Sequence, residues 1–147
     1  MFVTGSKSPR RLASVLVVDD EIITRSLLVS KFVQQNVAAT EAADGEQAIR
    51  ILATRTFDLA IVDLEMPNVD GYELLQVMRA DPRTRDMPVI VLSCREDKPA
   101  IDGALAAGAT SYMAKPIDWK TFGDHVARAV AGTARRPAPL LNRAVDR

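Results

Sequence analysis

The 147 residues, 48% of them apolar, are enough for one packed domain and too few for two ordinary ones. Nineteen basic residues offset nineteen acidic ones, so no net charge draws the chain toward nucleic acid or a membrane surface. The single cysteine, Cys94, excludes an internal disulfide and a cysteine-built metal site. Residues 1–14 hold no apolar leader core, and no run approaches the roughly 18 apolar residues of a membrane span, so a soluble cytoplasmic protein is expected.

Residues 1–13, with Lys7, Arg10 and Arg11, read as a basic flexible tail ahead of a folded unit over 14–132. Val15 to Val18 is a continuous apolar run of the kind found in parallel strands buried on both faces, and it leads into Asp19-Asp20. Leu28 and Phe32 mark the buried face of a first helix. A weaker, alanine-rich strand follows over Val37 to Ala43, bounded by Asp44-Gly45, and Ala48 with Leu52 marks the second helix. Leu59 to Val62 repeats the buried-strand pattern and ends at Asp63. The loop after it carries Leu64, Glu65, Met66 and Pro67, then Asp70-Gly71 before a third helix faced by Leu74 and Met78.

Val89 to Leu92 is the fourth strand, ending at Ser93; Cys94 beside it reads as a small core residue. Ile101 and Leu105 give the fourth helix its apolar pair, and Gly108 closes it as a left-handed cap. Thr110 to Ala114 is a weak fifth strand running into Lys115-Pro116, where the proline biases Lys115 toward an extended backbone. Trp119 and Phe122 open a fifth helix as packing residues, Val126, Ala129 and Val130 continue its apolar face, and His125 reads as a plain helix-surface residue. Gly132 is expected to cap this helix, with a second basic tail, including Arg135, Arg136, Arg143 and Arg147, over 133–147.

Five strands alternating with five helices imply an α/β fold, a doubly wound (βα)5 parallel sheet with helices on both faces. Such sheets bind ligands beyond the carboxyl ends of their strands, where strand order reverses. In a flavodoxin-like order 2-1-3-4-5, strands one and three flank that point, and Asp19, Asp20 and Asp63 converge there. Two like charges about 4 Å apart repel by roughly 4 kcal/mol at an effective dielectric near 20, so the cluster calls for a counter-ion. Mg²⁺ suits one or two carboxylates, a carbonyl, waters and a phosphate oxygen. Asp63 is the best placed to act as a nucleophile and form an acyl phosphate. Lys115 would neutralise phosphate charge, and Ser93 could donate a hydrogen bond to it. A plain surface acidic cluster with raised pKa values remains open on spacing alone.

Val17-Val18-Asp19-Asp20-Glu21, Asp63 with Met66-Pro67 and Asp70-Gly71, Ser93, Gly108-Ala109, and Tyr112 with Lys115-Pro116 occur in one order and spacing. Together they resemble the response-regulator receiver domains, which include the single-domain chemotaxis regulators, over about residues 14 to 131. The resemblance implies phosphorylation of Asp63 by a histidine kinase or histidine phosphotransfer protein. It also implies Mg²⁺ held by Asp19, Asp20, Asp63 and the backbone carbonyl of Glu65, and contact between Lys115 and the phosphoryl group. Ser93 matches the switch hydroxyl and Tyr112 the aromatic switch. The added charge would bias the surface of the fourth helix, fifth strand and fifth helix toward a protein target. Glu65 and Arg95 fall where the family tunes dephosphorylation.

Thr110 and Ser111 replace the acidic residues that serve the symmetric dimers of the DNA-binding subclass, and no output domain is expected after Gly132, so no direct nucleic-acid binding is expected. An aspartyl-phosphate phosphatase would need an aspartate where Glu65 stands, and a cap domain. A phosphorylation-independent interaction module on the same fold would usually lack a pocket residue. No phosphate-binding glycine loop follows the first strand.

Overall fold

Side chains of a strand point alternately to its two faces, and this alternation divides the apolar runs between two cores. In the computed structural model, which describes residues 12–135, Val15 and Val17 of β1 (Ser14–Val18) enter one core while Leu16 and Val18 enter the other. The same division applies to β3 (Leu59–Asp63) and β4 (Val89–Ser93). All three strands are covered on both sides, as their unbroken apolar sequence requires.

β2 (Ala38–Ala42) and β5 (Ser111–Ala114) complete a parallel sheet in the order β2-β1-β3-β4-β5. These two edge strands are partly exposed, which explains their weak apolar signal. On one face lie α2 (Gly45–Leu52), α3 (Gly71–Ala80) and α4 (Lys98–Ala107), packed through Ala48, Leu52, Leu74, Leu75, Met78 and Ala104. On the other lie α1 (Ile22–Gln34) and α5 (Trp119–Arg135), through Leu28, Phe32, Phe122, Val126, Ala129 and Val130. The Phe122 ring meets both Phe32 and Trp119 edge-on, at 5.6 and 5.2 Å between centroids.

Helix starts follow a common rule. The aspartates Asp44, Asp70 and Asp97 precede α2, α3 and α4, and each accepts a backbone N–H of the first turn, from Gln47, Glu73 and Ala100. Asp70 and Glu73 form a reciprocal capping box. The N-cap of α1, Glu21, makes no such side-chain bond.

Three expectations need correction. α4 buries Ala100 and Ala104, whereas Ile101 is half-buried and Leu105 is 45% exposed. Gly103 one turn away would bring a Cβ within 3.4 Å of the Tyr72 ring, so this helix approaches its neighbour on its small side. Gly108 does take the left-handed conformation, at φ 116°, and closes α4. Gly132 does not cap α5: the helix continues through it to Arg135, and among the described residues nothing would lie within 4 Å of a Cβ at that position. Packing also begins before residue 14, because Leu12 is buried and the amides of Ala13 and Ser14 both donate to Asp58. The rest of the two basic tails lies outside the described residues, apart from the backbone of α5. Among the described residues, no helix is long and apolar enough to cross a membrane.

Gly71, the first residue of α3, is set by close approach. A Cβ there would lie 2.7 Å from Leu64 Cα and 2.8 Å from the Asp63 carbonyl oxygen, and its amide donates to Leu64 O at 3.0 Å. Backbone atoms cannot turn aside as a side chain can. Gly71→Ala is therefore expected to push α3 off the loop after Asp63 and lower stability by about 1–3 kcal/mol. An unchanged urea midpoint would show that the loop yields freely.

Candidate functional site

Parallel register brings the chemistry-bearing residues to one edge. Val18 pairs with Val62, Asp63 with Leu92, and Ser93 with Ala114, so Asp19, Asp63, Ser93 and Lys115 all lie at or just past the carboxyl ends of neighbouring strands. Backbone bonds fix their positions: Asp19 N–H donates to Ala42 O, Leu64 N–H to Leu92 O, and Lys115 N–H to Ser93 O. Asp19, Asp63 and Ser93 are buried, and Asp20 is exposed.

One oxygen from each of Asp19, Asp20 and Asp63 lies within 4.8 Å of the others. Lys115 Nζ, on a side chain only 11% exposed, stands 3.0 Å from Asp19 Oδ2, 3.5 Å from Asp63 Oδ1 and 3.7 Å from Glu21 Oε1. The convergence expected from the strand order is thus present, with Glu21 as an additional member. Glu21 N–H donates to Asp19 Oδ1 at 2.8 Å, and Glu65 N–H donates to Asp63 Oδ1 at 3.3 Å. Asp19 Oδ2 is buried and accepts no hydrogen bond; Lys115 is near enough for an ion pair but not aligned as a donor.

The charges do not balance. Burial, then the charge of Asp19, pushes the Asp63 carboxyl up to about 8, with Asp20 adding to the rise against the pull of Lys115 and the Glu65 amide. Burial works against the Lys115 ammonium, but Asp19 first, with Asp63 and Glu21, outweighs it and raises its pKa. The Thr24 hydroxyl, and then Lys115, lowers that of Glu21. One ammonium among these carboxylates leaves negative charge in excess, and Asp19 Oδ2 is an oxygen without a donor. A hard divalent cation with oxygen ligands fits such a set.

At the far side of the pocket, Ser93 Oγ donates to Glu65 Oε2 at 2.6 Å and accepts from Arg95 N–H at 2.9 Å. Tyr112, half-buried on β5, donates its hydroxyl to Arg95 O at 2.5 Å. Beside Lys115, an open cleft of about 310 Å³ between α1 and the chain after β5 is lined by Glu21, Thr24, Leu27, Cys94 and Trp119. Cys94 is not a core residue: β4 ends one position earlier with Ser93 turned inward, and the thiol is exposed. Trp119 and Phe122 pack as expected, with Lys31 Nζ 5.2 Å from the indole centroid. His125 is half-buried on α5.

Sequence reasoning missed three participants. The Glu65 side chain, expected where the family tunes dephosphorylation but given no contact, reaches Ser93. Glu21 reaches Lys115, and its place directly after Asp19-Asp20 was the available signal. Arg25 donates to Asp19 O at 2.7 Å and pairs with Glu41 at 2.8 Å, holding the β1–α1 connection to β2 with no motif to announce it.

A family model described as the response regulator receiver domain matches residues 15–127. A curated relative described as probable chemotaxis protein CheY, from Rhizobium etli, is 36% identical over 104 residues, covering 70% of this chain and 81% of its own. The regulatory protein VirG of Agrobacterium fabrum is 34% identical over 137 residues, covering 92% of this chain but 51% of its own, so the chain spans about half the length of that relative. Chemotaxis protein CheY4 of Vibrio cholerae superposes with a TM-score of 0.76 at 27% identity, covering 81% of this chain and 99% of that one. The receiver domain of a sensor histidine kinase from Pseudomonas aeruginosa PAO1, solved with a magnesium ion coordinated in its active site cleft, gives 0.75 at 25% identity, covering 82% and 99%.

Proposed function

Because the chain belongs to the response regulator receiver domain family of two-component phospho-acceptor switches, we propose that Asp63 accepts a phosphoryl group from the phosphohistidine of a kinase or phosphotransfer protein. The observation that carries this reading is the placement of Lys115 between Asp19 and Asp63, in a pocket with more carboxylates than cations.

In the transfer, an Asp63 carboxylate oxygen attacks phosphorus and forms the acyl phosphate bond as the phosphorus–nitrogen bond breaks, and the departing imidazole takes a proton. Asp63 must be ionised to attack, so the charges that raise its pKa must be offset. Mg²⁺, held by Asp19, Asp20, Asp63 and the backbone carbonyl of Glu65, would supply positive charge to this carboxylate and to the phosphoryl oxygens. The Lys115 ammonium adds a second positive group, and Ser93 supplies a hydrogen-bond donor to a phosphoryl oxygen. The added charge of about −1.5 to −2 then draws Ser93 toward Asp63 and Tyr112 away from Arg95, changing the α4-β5-α5 surface that a protein target reads.

The donor's approach is supported by α1, where Ile22 and Ile23, directly after Glu21 in the chain, are 64% and 70% exposed and Leu27, which lines the cleft, is 48% exposed. An apolar rim next to the reactive carboxylate suits the helix face of a phosphohistidine-bearing partner in the cytoplasm. The test is intact mass after incubation with acetyl phosphate, with and without Mg²⁺. A Mg²⁺-dependent gain of one phosphoryl group that decays with time is expected. No gain in folded, Mg²⁺-supplied protein would leave a phosphorylation-independent interaction module as the better reading.

A further inference from the structure

A hydroxyl has one proton to give, and that of Ser93 is already committed. It is donated to Glu65 Oε2 at 2.6 Å, while Ser93 Oγ accepts from Arg95 N–H at 2.9 Å. Arg95 is itself tied on two sides. Its guanidinium grips Asp97 through Nε and Nη2 at 3.0 and 2.9 Å, and its carbonyl accepts the Tyr112 hydroxyl at 2.5 Å. Asp97 in turn caps α4 through Ala100 N–H at 3.1 Å. A continuous chain of contacts therefore runs from Glu65 through Ser93 and Arg95 to Tyr112 and the start of α4.

We propose that Glu65 is a positioning residue for the phosphoryl transfer, whose carboxylate holds the Ser93 hydroxyl away from Asp63 and so latches the unphosphorylated protein in its resting arrangement. The inference rests on the reading of Asp63 as phospho-acceptor. A charged acceptor holds a hydroxyl more strongly than a neutral one, so the proton remains with Glu65 until a stronger competitor arrives. A phosphoryl group on Asp63 is such a competitor: it brings acceptor oxygens, and its charge repels the Glu65 carboxylate two residues further along the chain. Once Ser93 turns, Arg95 N–H loses its acceptor in the resting geometry, and the carbonyl held by Tyr112 is freed to shift. The Glu65 backbone meanwhile continues to hold Asp63 through its N–H, so one residue restrains both the acceptor and the switch hydroxyl.

The test is a double-mutant cycle on the 147-residue chain with saturating Mg²⁺, following the rate of acetyl phosphate-driven phosphorylation. The variants are Glu65→Ala, Glu65→Gln, Ser93→Ala and the Glu65→Ala/Ser93→Ala double. Loss of a charge-assisted hydrogen bond predicts a rate gain of about tenfold for Glu65→Ala, a smaller gain for Glu65→Gln, and none when Ser93 is already alanine. Nuclear magnetic resonance of unphosphorylated Glu65→Ala is expected to move the Arg95 amide toward its position in the phosphorylated wild type, a shift that a merely structural role would not produce. An equal gain in both Ser93 backgrounds would mean that Glu65 acts on the pocket by its charge alone, and overturns the latch, as does no change in rate. Absence of phosphoryl uptake in the wild type itself overturns the underlying reading and the latch together, and is recognised before any variant is compared.

Discussion

Asp63→Asn is expected to take up no phosphoryl group and, without a divalent cation, to be more stable than the wild type. An amide oxygen is not a nucleophile toward phosphorus, so the first half follows from the proposed role of the carboxylate. The second half follows from its surroundings. The folded protein raises the Asp63 pKa from 3.8 to about 8, so it retains a proton that the unfolded chain has released. The contribution of this one group to stability is then full below the lower value and is lost as pH rises between the two. Asparagine keeps the shape, and can still accept from the Glu65 amide, without the charge. Its advantage should be small near pH 5 and reach about 1–3 kcal/mol above pH 8, in the range seen when buried charges are replaced by neutral groups. Mg²⁺ is expected to reverse the order, because it would favour the ionised carboxylate and only the wild type would offer that ligand. Urea melts at pH 5 and 8.5, with and without Mg²⁺, test all four corners. A wild-type advantage at pH 8.5 in the absence of metal would contradict the charge imbalance.

Lys115→Met should slow phosphorylation by about a hundredfold, the effect typical of removing one preorganised group that faces charge developing in a transfer step. Two causes act together. The ammonium 3.5 Å from Asp63 opposes the rise in its pKa, so without it less of the carboxylate is ionised at a given pH. The phosphoryl oxygens also lose a positive neighbour. The first cause has its own signature: at fixed, subsaturating Mg²⁺ the midpoint of the pH–rate profile should move to higher pH. A rate within threefold of wild type would remove Lys115 from the mechanism.

The parts of this arrangement that were legible in sequence are those where one physical constraint dominates. Strands buried on both faces must be apolar throughout, so Val15–Val18, Leu59–Val62 and Val89–Leu92 identified the sheet centre, and the polar residues ending them identified the edge. The helix pairs Leu28/Phe32 and Leu74/Met78 were equally plain. Legibility failed where packing depends on smallness or on the next element of the chain. α4 buries alanines, and the larger Ile101 and Leu105 misdirected the assignment of its face. Gly108 and Gly132 look alike in sequence, but Gly108 precedes β5, which requires the chain to turn, whereas Gly132 lies inside α5. Cys94 is exposed although β4 ends where the sequence places it, at Ser93, because the residue after a buried strand end faces out of the core here. Side-chain reach was the least legible of all, since nothing in a one-dimensional pattern indicates that Glu65 touches Ser93, 28 positions away.

The aspartates along this edge form two populations with opposite effects. Asp44, Asp70 and Asp97 close helix N-termini, and replacing such a cap by alanine typically costs about 1 kcal/mol. Asp63, at the buried end of β3, is a carboxyl whose ionisation the metal-free fold disfavours. Selection of a randomised library for heat resistance alone, with metal and phosphodonor withheld, should therefore retain the capping acids and discard Asp63. The site of chemistry would then be recognised by the residue that such a selection erases.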